Sequence, residues 1–195
     1  INPNFELKSS GMKMGGGPKP FGVDAECVPD LLKQISGLGL ECIGFHIFSG
    51  SQNLNAAAIQ DVHEKTVQLA IRLAEYAPSS IKLINMGGGF GIPYFPGERS
   101  LNLPLIGENL QRLSMILKQH LPAARIALEL GRYIVGEAGI YVCRILERKL
   151  SRGQMFLVTD GGLHHHLAAS GNFGQINKKN YPVIIGNKVY GAERE

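Results

Sequence analysis

Residues 82–94 read KLINMGGGFGIPY, and this stretch decides which fold the rest of the sequence adopts. The apolar run at 82–86 is typical of a short buried strand, and a glycine-rich loop follows it at 87–91. Glycine has no side chain, so consecutive glycines let main-chain N–H groups approach a phosphate closely. A tight turn without any ligand explains the same residues, and the loop alone leaves both interpretations open.

Two common nucleotide-binding motifs do not describe this loop. A Walker loop would continue with glycine, lysine and a hydroxyl residue, and this sequence does not. A dinucleotide-binding fingerprint would open a helix, but Pro93 and Pro96 interrupt the place where that helix should begin. The glycines therefore indicate a strand-end loop of another kind.

Helical and strand-like patterns alternate on both sides of the loop. The predicted elements are helices at 29–36, 55–76 and 105–120 and strands at 41–48, 82–86 and 125–129. Strands separated by helices indicate parallel βαβ units, which form either a doubly wound sheet or a (β/α)8 barrel. Polar, glycine-rich ends after successive strands favour a partial TIM-type barrel within the α/β class, whose ligands collect at the carboxyl ends of the strands.

The pattern changes after Gly139. An alternating run at 140–150 has no helical partner, and a second strand is predicted at 154–159. Two such runs are typical of the start of an antiparallel β domain. The sequence therefore predicts that 1–137 form part of the barrel and that 138–195 begin a C-terminal β domain. At the other end of the chain, residues 1–23 are rich in Gly and Pro and are predicted to be a loop.

Two further polar motifs follow predicted strands. His46 and Phe48 belong to the run HIFSGSQ, in which aromatic and hydroxyl groups can stack on a ring and hold a phosphate. Glu129 and Arg132 flank a glycine and can bind two ends of one ligand. Core packing, a hydrogen-bonded core histidine or a local salt bridge explains each motif singly. Because all three loops follow strands of one barrel-like pattern, we expect them to meet at one rim that includes a buried carboxylate.

The composition argues against several other classes of protein. The net charge is +4, and Lys and Arg form no dense cluster of the kind that nucleic-acid binding requires. No apolar run approaches the length of a membrane-spanning helix. Cys27, Cys42 and Cys143 have no close pairing, which indicates reduced thiols and a cytoplasmic protein. The histidines at 164–166 are adjacent and would point to opposite faces of a strand, so no metal site is expected.

Together these motifs resemble those of the fold-type III pyridoxal phosphate (PLP)-dependent decarboxylases, the alanine-racemase-like group that includes diaminopimelate, ornithine and arginine decarboxylases. The resemblance is closest to diaminopimelate decarboxylase. The family's GGGFG motif is intact, HxGS[GQ] corresponds to 48–52, EPGR to 129–132 and D[GA]G to 160–162. The stretches NPN at 2–4 and FGVD at 21–24 are also similar, so the resemblance covers nearly the whole chain.

The resemblance implies the cofactor pyridoxal 5'-phosphate, a small amino-acid substrate, and a reaction in which the α-carboxylate leaves as CO2. Glu129 would pair with the pyridine nitrogen and strengthen the ring as an electron sink. Ser51, Gly88 and Gly89 would hold the phosphate, with a contribution from Arg132. Members of this family commonly form homodimers. The cofactor site implied by the resemblance comprises His46, Phe48, Ser51, Gly88, Gly89, Phe90, Gly91, Glu129, Gly131 and Arg132.

The sequence departs from the family pattern inside two of these motifs. Phe48 stands where the family usually has a histidine that stacks on the cofactor ring, and Phe48 cannot donate a proton. Leu130 replaces the usual proline of EPGR. Both changes indicate a side branch of the family that acts on another amino acid, for example one tethered to a carrier protein.

Two functional segments of the family have no counterpart in the sequence. The Schiff-base lysine is expected upstream of Ile1, and none of the lysines present lies in a matching motif. The family's C-terminal cysteine motif is expected beyond Glu195, because Cys143 lies in a different context. The chain is therefore expected to be part of a larger protein and to be inactive alone.

Three other functions fit parts of the same pattern. An amino-acid racemase uses the same barrel, although the glycine loop followed by an EPGR-like motif favours a decarboxylase. A non-catalytic PLP-binding protein consists of the barrel alone, whereas the pattern after Gly139 predicts a second domain. A barrel enzyme that acts on phosphate esters without PLP would fit if the upstream sequence lacked a strand-end lysine.

Overall fold

The computed structural model describes residues 1–162, 164–165 and 183–188. These described residues form seven strands, four α-helices and one short 3-10 helix at Ala25–Cys27. The strands are β1 (Met12–Lys13), β2 (Gly44–His46), β3 (Gly50–Ser51), β4 (Leu83–Asn85), β5 (Arg125–Ala127), β6 (Ile145–Ser151) and β7 (Gln154–Thr159). The helices are α1 (Val28–Gly37), α2 (Ala56–Ala74), α3 (Leu103–His120) and α4 (Arg132–Val135).

Strands β2, β4 and β5 form a parallel sheet with β4 in the centre. Helix α2 connects β2 to β4 and helix α3 connects β4 to β5, so the chain forms two successive βαβ units. Ile84 of β4 pairs with Phe45 on one side and with Ile126 on the other. This is the parallel arrangement that the alternating sequence predicts, and it brings the carboxyl ends of three strands to one edge.

The hydrophobic core lies between one face of this sheet and the helices. Ile47 and Ile84 are fully buried there, and Val67 of α2 and Leu117 of α3 pack in the same cluster. Successive side chains of a strand point to opposite faces. The other face of the sheet therefore carries His46, which is exposed, beside half-buried Asn85.

Asparagine caps set the beginnings of the two long helices. The Asn55 side-chain oxygen accepts the N–H of Ala58 at 3.1 Å, and that of Asn102 accepts the N–H of Leu105 at 3.2 Å. These bonds satisfy main-chain donors that the first helical turn leaves unpaired. The predicted helices are confirmed, although α2 ends at Ala74, two residues before the expected end, and α3 begins at Leu103, two residues before the expected start.

Four of the five predicted strands are shorter in the structure, and those expected at 82–86 and 125–129 are reduced to Leu83–Asn85 and Arg125–Ala127. The strand expected at 41–48 is reduced to Gly44–His46, because pairing with β4 begins only at Gly44. Ile43 precedes that pairing and is exposed. The run expected at 140–150 becomes a strand only from Ile145, where pairing with β7 begins.

The predicted loop at 1–23 contains a short strand that the sequence does not reveal. Met12 pairs with Ser51 and Lys13 with Gly50 in an antiparallel bridge between β1 and β3. The Ser10 hydroxyl supports this pairing, because it donates to the Ser51 carbonyl at 3.0 Å and accepts the Ser51 N–H at 2.9 Å. The expectation that 1–23 are entirely loop is therefore wrong at this point.

Strands β6 and β7 form the predicted antiparallel hairpin. The turn between them contains Arg152 with φ 52° and Gly153 with φ 83°, and two positive φ angles suit a tight hairpin. Large apolar side chains of both strands are exposed, Leu146 and Phe156 among them. The domain boundary near residue 137 stays a prediction, as do all expectations for 163, 166–182 and 189–195, which lie outside the described residues.

The described residues contain neither a membrane-spanning helix nor a metal-binding cluster. Within the described ranges, no helix combines the length and apolar character that crossing a membrane requires. The same residues contain no cluster of three or more His, Cys, Asp or Glu side chains that could hold a metal ion. Of the histidine run, His164 and His165 lie with ring centroids 4.0 Å apart, and His166 lies outside the described residues.

His63 is a titratable side chain buried inside the fold. It lies on α2 with 2% of its surface exposed, and its ring centroid is 6.0 Å from that of Phe90. Its Nδ1 atom makes no hydrogen bond to any described residue. Because burial removes the water that would stabilise the charged form, the pKa of His63 falls from 6.5 to about 4. The imidazole is therefore neutral in the folded protein at neutral pH.

This burial predicts an acid-sensitive stability. Between pH 6.5 and about 4 the unfolded chain binds a proton at His63 that the folded chain does not, so the free energy of unfolding falls as the pH falls. The full contribution, about 3 kcal/mol, is present above pH 6.5. In the full-length protein, denaturant titrations at several pH values should show a flatter profile for His63→Leu. Val62→Ala, a non-titrating change on the same helix, should lower the free energy of unfolding at every pH but keep its dependence on pH. If His63→Leu showed the same pH dependence as wild type, His63 would not be the source of the acid sensitivity.

Candidate functional site

The carboxyl ends of the three parallel strands surround a cavity of about 300 Å³. Its walls come from the segment after β2, the glycine loop after β4 and the loop between β5 and α4. This is the rim at which the sequence predicted that the motifs would meet. The lining residues are Phe48, Ser51, Gln52, Gly88, Gly89, Phe90, Glu129, Leu130, Gly131 and Arg132.

The glycine loop lies against the main chain of its neighbours. A Cβ atom at Gly88 would collide with the carbonyl oxygen of Glu129, and one at Gly89 would collide with the carbonyl oxygen of Gly50. Gly89 also has φ 106°, a conformation that residues with side chains rarely adopt. Within the described residues, the N–H groups of Gly88 and Gly89 donate to no other group. Two main-chain donors thus stand at the cavity wall, available to an anion.

Glu129 carries the carboxylate of the cavity. Its Oε2 atom lies 3.1 Å from Nε2 of His46, and its Oε1 atom accepts a hydrogen bond from Nδ2 of Asn85 at 2.9 Å. Its side chain is 53% exposed, so the expectation of a buried carboxylate is wrong. The described sheet has three parallel strands, and its face around Glu129, His46 and Asn85 is left partly open.

Asn85 connects this carboxylate to the start of the glycine loop. Its side-chain oxygen accepts the N–H of Gly87 at 2.9 Å, which leaves its amide nitrogen to face Glu129. The main chains are joined as well, because the N–H of Glu129 donates to the carbonyl of Gly87 at 2.9 Å. The carboxylate and the loop are therefore fixed relative to each other by three hydrogen bonds.

Arg132 occupies another part of the wall, at the first residue of α4. Its Nη1 atom donates to the side-chain oxygen of Gln52 at 3.1 Å, and its guanidinium lies 5.7 Å from the ring centroid of Tyr94. Arg132 thus bonds to Gln52, whereas Glu129 contacts His46 and Asn85. Glu129 and Arg132 therefore do not form the local salt bridge that the sequence left open. The two oppositely charged side chains contact different partners.

Aromatic side chains complete the cavity. The Phe48 ring packs on the glycine loop, since a Cβ atom at Gly87 would come within 2.6 Å of Phe48 Cδ2. Phe90 meets Tyr133 edge to face, with ring centroids 5.9 Å apart. An aromatic surface thus adjoins the polar groups, as a planar aromatic ligand requires.

The structure brings most of the predicted site residues together. Eight of the ten line the cavity, whereas His46 lies beside it in contact with Glu129, and Gly91 is turned away with its N–H on the carbonyl of Asn53. The prediction missed Gln52 and Asn85, although Gln52 directly follows Ser51 in a motif that was recognised. In the part of the chain that the structure describes, no lysine lines the cavity.

Comparison with known proteins identifies the family. The family model described as "Pyridoxal-dependent decarboxylase, pyridoxal binding domain" matches residues 1–136. The L-glutamyl-[BtrI acyl-carrier protein] decarboxylase of Niallia circulans is 36% identical over 188 residues, covering 94% of this chain and 43% of that protein. The diaminopimelate decarboxylase of Thermoplasma acidophilum is 32% identical over 145 residues, covering 73% of this chain and 35% of that protein.

Solved structures show the same fold. A diaminopimelate decarboxylase from Helicobacter pylori, crystallised with L-lysine, superimposes with a TM-score of 0.70 at 24% identity, covering 88% of this chain and 42% of that one. A protein from Aquifex aeolicus gives a TM-score of 0.61 at 30% identity, covering 77% of this chain and 36% of that one. These similarities confirm the predicted partial (β/α) barrel.

The chain matches only part of each relative, because it spans 43% and 35% of the lengths of the two curated proteins. On the side of this chain they are extensive. The family model accounts for residues 1–136 of 195, which include every residue that lines the cavity. The resemblance drawn from the motifs is thereby confirmed, and the chain belongs to the pyridoxal-dependent decarboxylases.

Proposed function

We propose that the protein carrying this chain decarboxylates an amino acid with the help of pyridoxal 5'-phosphate. The observation that carries the proposal is the cavity at the strand ends. It combines a carboxylate, two unoccupied main-chain donors, a guanidinium and an aromatic surface in one place. The sequence relationship to decarboxylases supports the same reaction class.

The residues present suit this cofactor. Its phosphate is an anion, and the N–H groups of Gly88 and Gly89, the Ser51 hydroxyl and the Arg132 guanidinium can all donate to it. Its ring is planar and aromatic and can pack against Phe48. Its pyridine nitrogen binds a proton, which the Glu129 carboxylate can hold. The cavity of about 300 Å³ lies at the lower end of the range typical of small-molecule sites.

Pyridoxal phosphate, when bound, supplies an electron sink for the charge that remains after the α-carboxylate has left as CO2. Glu129 sustains that sink by holding a proton at the pyridine nitrogen. His46 and Asn85 orient the Glu129 carboxylate, each through one of its two oxygens. The glycine loop and Arg132 hold the phosphate end and so fix the position of the ring relative to Glu129.

Two substrates are candidates, free diaminopimelate and a carrier-protein-tethered amino acid. The Niallia circulans relative, whose name states that it acts on glutamate bound to an acyl-carrier protein, matches this chain over 94% of its length. The two departures from the family motifs, at Phe48 and Leu130, both line the cavity. We therefore propose a tethered amino acid ahead of free diaminopimelate. Homodimer formation stays a prediction from the resemblance, and a cytoplasmic location stays a prediction from the unpaired cysteines.

Absorbance and borohydride trapping test whether the protein binds the cofactor. The full-length protein, as purified or after addition of pyridoxal phosphate, should show a visible absorbance band. Borohydride should then fix the cofactor on a lysine that peptide mapping places outside residues 1–195, because no described lysine lines the cavity. Absence of the band even with added cofactor would overturn the proposed function. Fixation on a lysine within 1–195 would overturn the expected position of the lysine.

The Glu129→Gln variant tests the role of the carboxylate. Glu129→Gln keeps the shape of the side chain but removes the charge at the pyridine nitrogen, so kcat for CO2 release should fall roughly 100-fold. Bound pyridoxal phosphate, measured by absorbance, should remain close to one per chain, because the phosphate contacts are untouched. Glu108→Gln, an exposed change of the same kind on α3, serves as the control and should retain wild-type kcat. Wild-type kcat in Glu129→Gln would refute the assigned role.

Assays of CO2 release distinguish the two substrate classes. Release of CO2 should be measured from free diaminopimelate, from free glutamate and from glutamate attached to an acyl-carrier protein. If remote contacts with the carrier contribute to catalysis, kcat/KM should be roughly tenfold or more higher for the attached than for the free amino acid. Equal kcat/KM for free and attached glutamate, or a higher kcat/KM for diaminopimelate, would contradict the tethered substrate and indicate a free amino acid instead.

A further inference from the structure

Gln52 joins three walls of the cavity. It follows Ser51 directly and has φ 50°, a left-handed conformation that non-glycine residues seldom adopt. The Gln52 side chain reaches two other segments. It bonds to Ile92, just beyond the glycine loop, and to Arg132, at the start of α4. The partners lie 40 and 80 positions away in the sequence.

The bonds of Gln52 require both halves of a carboxamide. Its Nε2 atom donates to the Ile92 carbonyl at 2.6 Å, while its Oε1 atom accepts the Ile92 N–H at 3.3 Å. The same Oε1 atom accepts from Nη1 of Arg132 at 3.1 Å. A carboxylate could keep the two acceptor roles, but it would oppose the Ile92 carbonyl with a second acceptor. Gln52 is thus anchored to the main chain and presents a neutral oxygen to Arg132.

An arginine side chain has many rotamers, and fixing it costs conformational entropy. Arg132 is held by two contacts, the Gln52 oxygen on one side and the Tyr94 ring, whose centroid is 5.7 Å from the guanidinium carbon, on the other. Neither contact carries a negative charge, so neither neutralises the guanidinium. The arginine is therefore oriented in advance and keeps its full positive charge for an anion in the cavity.

We propose that Gln52 is a positioning residue that orients Arg132 toward the phosphate of the cofactor. This inference rests on the proposed function, because it takes the anion to be that phosphate. It also explains the residue type, since Glu at the same position would pair with Arg132 and reduce the attraction for the phosphate. Gln52 itself does not contact the phosphate and acts only through Arg132.

The test compares two ligands that differ by the phosphate alone. Dissociation constants of pyridoxal 5'-phosphate and of pyridoxal are measured for the full-length wild type and for Gln52→Glu. The variant should bind pyridoxal phosphate roughly tenfold or more weakly, because a charged partner competes for Arg132. Its affinity for pyridoxal should stay within about twofold, since the phosphate contact is absent there. A merely structural role of Gln52 would weaken both ligands together.

A matched control and a second variant keep the outcome decisive. Gln60→Glu makes the same change on α2, where Gln60 donates to the Leu105 carbonyl at 3.0 Å, and should leave both affinities unchanged. If Gln52→Glu fails to fold, Gln52→Met removes the bonds without adding charge and should weaken pyridoxal phosphate severalfold but not pyridoxal. Parallel weakening of both ligands, or no weakening, would overturn the role of Gln52. A wild type that binds neither ligand would instead overturn the proposed function.

Discussion

The close approach of two main-chain segments is the constraint on which the site depends. The glycine loop after β4 lies directly against the end of β5, where Gly88 faces the Glu129 carbonyl without room for a side chain. The Glu129 N–H donates to the Gly87 carbonyl across the same contact. Any larger residue at position 88 would push the two strand ends apart. The position of the glycine-loop N–H donors relative to the main chain of Glu129 is thereby fixed by the backbone.

This constraint lets two opposite charges act separately although they are close in sequence. Glu129 is restrained from the sheet side by His46 and Asn85, and Arg132 is restrained from the loop side by Gln52. Had the carboxylate and the guanidinium paired with each other, neither would have been available to a ligand. Pyridoxal phosphate offers a protonated ring nitrogen at one end and an anionic phosphate at the other, so it needs this separation.

Local patterns in the sequence were sufficient for the long helices, the parallel strands and the position of the site. Helical spacing predicted α2 and α3, and glycines after apolar runs predicted the strand ends. The contacts of Gln52 and Asn85 were not predictable, because their partners lie 80 and 44 positions away. The exposure of Glu129 was misjudged for a related reason. The burial of a strand-end side chain depends on what covers the sheet face, and no local pattern records that.

The departures from the family motifs at Phe48 and Leu130 leave the cavity without a proton donor at these two positions. Leu130 packs beside a cluster that includes Phe90, so its replacement of proline keeps an apolar contact. Phe48 provides an aromatic surface but no titratable group. The charged residues that line the cavity are Glu129 and Arg132, and in the proposed function both hold the cofactor. In that proposed function, the proton that replaces the lost carboxylate on the product has to come from a group other than Glu129 and Arg132.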